Sequence, residues 1–253
     1  MDAPQNAPLP SPVRGAQSID RAIGLLQLIA AHHAQGMALR ELVAATGLDR
    51  TTVYRIASSL VRAGLVSRDA GSGAYALGVE AMALGLTSMQ RAPLLAACVP
   101  AMKALARRSG EPVFLVVRSG DYSQCLHMEQ GRLPIRGFAE TVGNMRLLGL
   151  GIPSFALLAH MSDADIAAHF ARHQEEYHAR RMSAMKLHTW IRQARQQGYA
   201  QISAKGIGGV GLRFALGSCG DAALGIVAPA SRMTRARGPA LAALLHEEIR
   251  QMK

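Results

Sequence analysis

The chain has 253 residues, 49% hydrophobic and 18% charged, and a formal net charge of +11. That length suits two domains and that apolar fraction can fill their cores, which excludes wholesale disorder, and no apolar run reaches the ~20 residues of a membrane span. The positive balance points to a polyanionic partner, yet residues 1–90 carry 7 basic against 6 acidic side chains and residues 91–253 carry 21 against 11. A nucleic-acid-binding segment in the first part must therefore be sought on helix faces rather than in net charge.

Residues 1–17 are rich in Pro and Ala and lack the apolar stretch of a signal peptide, so they read as a disordered tail. Ser18 is an N-cap type of residue with Asp20 in the following turn. After it Ile19, Ala22, Ile23, Leu26, Ile29 and Ala30 recur at helical spacing, with Leu25 and Leu28 widening the apolar face into a core stripe or a dimer contact. Leu39–Thr46 predicts a second helix and Gly47-Leu48 a turn. Asp49 then caps a third helix, Arg50–Ala63, which turns Val53, Ile56, Ala57 and Leu60 inward. Its outward set, Arg50, Thr51, Thr52, Tyr54, Arg55 and Ser58, holds cations and hydroxyls and no carboxylate. An ordinary solvated face usually mixes in Glu or Asp, whereas a helix that enters a DNA groove needs donors for phosphates and base edges. Two short segments ending at Arg68 and starting at Ala74 flank Asp69–Gly73 and predict a hairpin, a wing whose Arg68 can reach a phosphate. The winged helix-turn-helix spans residues 18–78, and residues 79–93 form a linking helix with Pro93 as punctuation.

The remainder, residues 94–253, mixes helices and strands. Leu95–Arg108 predicts a helix, Val113–Arg118 and Gln124–Met128 strands, and residues 155–197 helices. Val210–Leu216 and Ala222–Ala228 form a hairpin through Gly217–Asp221, and Arg237–Met252 a closing helix. Strands with helices on one side make this an α+β sensor fold rather than a doubly wound sheet. Gly206, Gly208, Gly209 and Gly211 lack the Lys-Ser/Thr ending of a phosphate-binding loop and read as a mobile loop.

The segments Ser18–Ala22, Thr46–Arg55, Gly73–Gly78, Ser109–Glu111, Gly198–Ala200 and Ala228–Thr234, in that order, resemble the IclR family of bacterial transcriptional regulators. The resemblance implies a DNA-binding domain followed by a GAF-like α/β effector-binding domain, dimers formed through the DNA-binding end, and often a dimer of dimers. It implies double-stranded operator DNA and a small-molecule effector as partners, with no catalytic residues and no cofactor. Where family members carry a His-Ala-Thr-Ala-Leu-Gly-Lys-like loop, this chain has Gly149–Phe155. Where members that hold small oxo-acids place an acidic residue and a cysteine, it has Ile202 and Leu212, with Leu224 and Ile226 at two further pocket positions. The implied lining is Gly151, Ile152, Pro153, Ile202, Leu212, Leu224 and Ile226, with Arg146 or Arg213 to meet a carboxylate. Apolar walls favour an aromatic or similarly apolar carboxylate over glyoxylate.

Other signals are weaker. His169 and His173 stand four apart, a spacing that can clamp a metal, but Arg172, His178, Arg180 and Arg181 nearby suggest a solvated cationic face and no carboxylate or cysteine completes a ligand set, so no metal is expected. Cys98, Cys125 and Cys219 form no CxxC pair, which fits burial and a reducing cytoplasm. Ser154 and Ser203 have no nucleophile elbow. Two alternatives stay open at this point: a DNA-binding protein whose second domain only oligomerises, and a DNA-tethered enzyme or redox sensor.

Overall fold

The computed structural model describes residues 15–33, 35–91, 94–133, 142–204, 206–215, 220–234 and 236–252. The chain divides into two compact units, Met1–Ala92 and Pro93–Lys253. Among the described residues no helix is long and apolar enough to cross a membrane.

The first unit contains α1 (Gln17–Ala31), α2 (Leu39–Thr46), α3 (Arg50–Arg62), β1 (Val66–Arg68), β2 (Tyr75–Leu77) and α4 (Val79–Arg91). Helix α1 starts after Ala16, which makes no side-chain cap, so Ser18 lies within the first turn rather than capping it. Gly47 ends α2 in the left-handed region at φ 65, a conformation that L side chains rarely adopt, and so turns the chain towards α3. The Asp49 carboxylate accepts from the Thr52 N–H at 2.9 Å and satisfies one of the orphan donors at the start of α3. Those Thr52 hydrogen bonds hold the Asp49 carboxyl below its ordinary value. Leu25 and Ile29 from α1, Leu42 from α2, Val53, Ala57 and Leu60 from α3, and Val66 and Tyr75 from the hairpin form one core. β1 and β2 pair antiparallel, Val66 opposite Leu77 and Arg68 opposite Tyr75. The Asp69 carboxylate accepts from both the N–H and the hydroxyl of Ser72, which fixes the turn between them.

The second unit contains α5 (Leu94–Ser109), β3 (Val113–Ser119), β4 (Tyr122–Glu129), β5 (Met145–Leu147), α6 (Ile152–Ala159), α7 (Asp163–Arg172), α8 (Gln174–Ala179), α9 (Ala184–Gln197), β6 (Ala200–Ala204), β7 (Ile207–Ala215), β8 (Asp221–Pro229) and α10 (Arg237–Gln251). Its strands form one antiparallel sheet in the order β5-β4-β3-β8-β7-β6. Leu105 and Met102 of α5 and Leu241, Leu245 and Ile249 of α10 pack with Leu115, Leu212, Leu224 and Ile226 on one sheet face. Helix α6, buried along its whole length, covers the other face over β7 and β8. Helices thus lie on both faces, not one, because α6 is apolar all round and must be covered on every side.

Two strands escaped the sequence pattern. β5 has only three residues, and β6 is a short edge strand after the turn at Gly198. The glycines expected to form a mobile loop are instead largely strand, since Gly208, Gly209 and Gly211 lie in β7. The hairpin turn at Gly217 and Cys219, Pro93 and the tail before Gly15 lie outside the described residues. Glu111, fully buried, is gripped by Arg232 at 2.8 and 2.6 Å and by Arg237 at 2.9 Å, which fastens the start of β3 to the chain entering α10.

Candidate DNA-binding face and effector site

Helix α3 separates two functions by side. Val53, Ala57 and Leu60 are buried, whereas Arg50, Thr51, Tyr54, Arg55 and Ser58 are exposed and Thr52 is half-buried beside the cap. Tyr54 leaves half its surface in solvent although it is large and aromatic. Arg68 is also exposed, but its guanidinium donates from Nε to the Gly73 carbonyl at 3.4 Å and stands 5.6 Å from the Tyr75 ring centre. Both ties are weak enough for the head to exchange them for a phosphate.

Of the eight expected effector-site residues, four meet. Gly151 is the N-cap of α6, with Ile152 and Pro153 in its first turn. Ile202 on β6 pairs with Gly209 on β7, and a side chain at Gly209 would stand 2.8 Å from Ile152 Cδ1. Leu212, Leu224 and Ile226 do not join them, because successive strand residues alternate faces and these three point into the α5–α10 core. The residues that front α6 are their neighbours Gly211, Gly225 and Val227. A Cβ at Gly211 would meet Ile152 O at 2.7 Å, and one at Gly225 would meet Pro153 at 2.9 Å. A one-residue shift thus carries the whole set to the opposite face. The missed signal was local: glycine recurs at every second position in Gly209-Val210-Gly211-Leu212 and separates Leu224 from Ile226, which marks a close backbone approach.

Arg146 is not beside this site. It lies on β5 opposite Ser123, at one edge of the sheet, while Ile202 lies on β6 at the other, five strand spacings or about 24 Å along the sheet. Arg213 is paired with Asp221 across the β7–β8 hairpin.

A second polar cluster gathers at the β3–β4 turn. The Asp121 carboxylate receives Arg172 through Nε at 3.0 Å and Nη2 at 2.9 Å, His173 Nε2 at 2.8 Å, and stands 3.4 Å from His169 Nδ1. The expectation that no carboxylate completes a ligand set with His169 and His173 is therefore corrected by folding, which brings Asp121 to them from about fifty residues away. Burial would raise the Asp121 carboxyl, but Arg172, His173 and His169 outweigh it and hold the group well below the usual carboxylate range. Burial lowers His169 below its ordinary value, against the opposing pull of Asp121.

Residues 18–70 match the IclR helix-turn-helix domain, and residues 86–253 match the domain described as bacterial transcriptional regulator IclR C-terminal. The chain belongs to the IclR family. The acetate operon repressor of Salmonella typhimurium is 28% identical over 253 residues, covering 96% of this chain and 91% of that one. The HTH-type transcriptional regulator KipR of Bacillus subtilis is 30% identical over 153 residues, 60% of each chain. An IclR homolog from Microbacterium hydrocarbonoxydans, solved complexed with 4-hydroxybenzoate, shares the fold with a TM-score of 0.71 at 16% identity, over 93% of this chain and 97% of that one. The IclR-type chain is accordingly a transcriptional regulator rather than an enzyme, and its relatives are regulators throughout.

Proposed function

We propose that this IclR-family regulator acts in the cytoplasm, binds double-stranded operator DNA through α3 and the wing, and releases or tightens that grip when an apolar carboxylate of the aromatic class occupies the α6 face of the second unit. The observation that carries the DNA reading is the outward face of α3, with Arg50, Arg55, Tyr54 and hydroxyls and no carboxylate, on a helix whose other side is locked into the core. One winged helix offers few base contacts, and pairing two on a two-fold site supplies useful specificity. Ile19 at 61% exposure and Ile23 at 41% on α1, and Met82 at 61% and Leu86 at 56% on α4, are the apolar surface for a homodimer, from which a dimer of dimers can be built. The side chain of Met89, further along α4, lies outside the described residues.

The effector reading rests on Ile152, Pro153, Ile202 and Val227 around the glycines of β7 and β8, apolar walls that reward burial of a ring more than of a two-carbon acid once α6 moves off its glycine contacts to admit it. The first turn of α6 adds backbone N–H groups that favour an anion. The homolog complexed with 4-hydroxybenzoate supports an aromatic acid in this fold.

Fluorescence anisotropy with operator DNA tests the first part. The Arg50→Ala, Arg55→Ala double variant should lose at least about 1–3 kcal/mol of affinity with its circular dichroism unchanged, and unchanged affinity would remove α3 from the interface. Calorimetry with benzoate-type acids against glyoxylate and pyruvate tests the second: tighter binding of both oxo-acids than of every aromatic acid overturns the ligand class. Ile202→Asp should weaken carboxylate binding by placing a like charge on the wall, with DNA binding retained.

A further inference from the structure

The Asp121 cluster has a feature that hydrogen bonding alone leaves unexplained. His169 is fully buried, and its Nε2 lies 3.1 Å from the Tyr177 hydroxyl. That hydroxyl has a single proton, which it donates to the Leu148 carbonyl at 2.6 Å. The tyrosine oxygen can then only accept from the histidine, so the ring carries a proton on Nε2. Nδ1 has no hydrogen-bond partner, and it stands 3.4 Å from the Asp121 Oδ1 oxygen. A buried ring nitrogen thus faces a carboxylate oxygen, a pairing that a cation between them would satisfy.

The dimensions suit such a cation. Zinc-class ions bind imidazole nitrogen at about 2.0–2.1 Å and carboxylate oxygen at about 2.0–2.2 Å in tetrahedral geometry, which separates two ligand atoms by roughly 3.4 Å. His169 and His173 are one helical turn apart on the same side of α7, and a ligand atom from each of Asp121, His169 and His173 lies within 4.8 Å of the others. The Nε2–H of His169 is held by Tyr177, the kind of outer contact that orients a metal-binding imidazole and makes it more basic. His173 and Asp121 keep part of their surface in solvent, which leaves a path for entry and for a water ligand. Arg172 is the competitor: it holds both carboxylate oxygens, but half its side chain is exposed and it can swing into water.

We propose that Asp121, His169 and His173 form a three-ligand site for a divalent transition-metal ion of the zinc class, completed by water. Two imidazoles and one carboxylate select zinc, cobalt or nickel over calcium or magnesium, which prefer all-oxygen shells. Through Tyr177 and Leu148 the ion's ligand His169 is two hydrogen bonds removed from the chain that enters α6, so its binding stiffens the approach to the proposed effector wall. The site itself stands independently of the effector reading.

Cobalt chloride titrated into the chelator-stripped full-length protein is the test. One ion per chain should bind, with visible absorption of tetrahedral intensity that zinc chloride abolishes. His173→Gln and Asp121→Asn should each weaken cobalt binding by at least about 100-fold with the far-ultraviolet circular dichroism retained, beyond the roughly 10–100-fold that outer-shell changes cause. Arg172→Ala, which removes only the competing cation from the surface, should tighten binding. Absence of the cobalt bands at millimolar metal, binding unchanged in both ligand variants, or binding weakened by Arg172→Ala would each overturn the site.

Discussion

The two units hide their functional residues to different degrees. In the first, α3 keeps one side in the core and the other in solvent, so a 3.6-residue period separates Val53, Ala57 and Leu60 from Arg50, Tyr54 and Arg55. In the second, β7 and β8 are buried on both faces, and both read as nearly continuous apolar runs. Hydrophobicity then no longer says which alternate residue fronts which helix. A helix face exposed to water is readable from its own residues; a sheet face between two helix layers is defined by what packs on it.

Four substitutions sharpen or break that contrast. Leu212→Ala should cost about 2–5 kcal/mol of stability, because it opens a cavity between β7 and the α5–α10 layer, while leaving effector affinity unchanged. Urea unfolding and calorimetry together decide it, and lost ligand affinity in a stably folded variant would return Leu212 to the site. Gly211→Ala adds one methyl on the opposite face, 2.7 Å from the Ile152 carbonyl oxygen. Backbone must move to admit it, so a loss of about 1–3 kcal/mol is expected, and a neutral result would show that α6 lifts freely from β7.

Smaller effects belong to the first unit. Asp49→Ala removes the cap of α3 and should lower stability by about 1 kcal/mol, seen as an earlier thermal transition, with operator affinity falling only as far as the first turn frays. Gly71→Ala in the wing turn meets nothing closer than the Asp69 carboxylate at 3.6 Å. It should stay within about 0.5 kcal/mol of the parent in urea unfolding, and a larger loss would mean that the wing turn is as tightly built as the α6 contact.

Much of the fold was already in the residues. The third helix, its Asp49 cap, the hairpin around Asp69–Gly73, and the long helices α5 and α10 follow from local period, capping and turn chemistry. β5 and β6 did not, since three and five residues carry too little pattern against their surroundings. Folding brings Gly151, Ile152, Pro153 and Ile202 together, whereas Leu212, Leu224 and Ile226 lie one residue out of phase on the opposite face.

What the sequence by itself determined was the order of elements, the family and the solvent face of α3, because each depends on interactions between residues a few positions apart. Only the tertiary structure decided the face of the sheet that α6 covers, the separation of Arg146 from Ile202 across the strands, and the meeting of Asp121 with His169 and His173. Those depend on strand pairing and packing between segments tens of residues apart, where a single-residue shift in register exchanges core for surface and no local pattern records the choice.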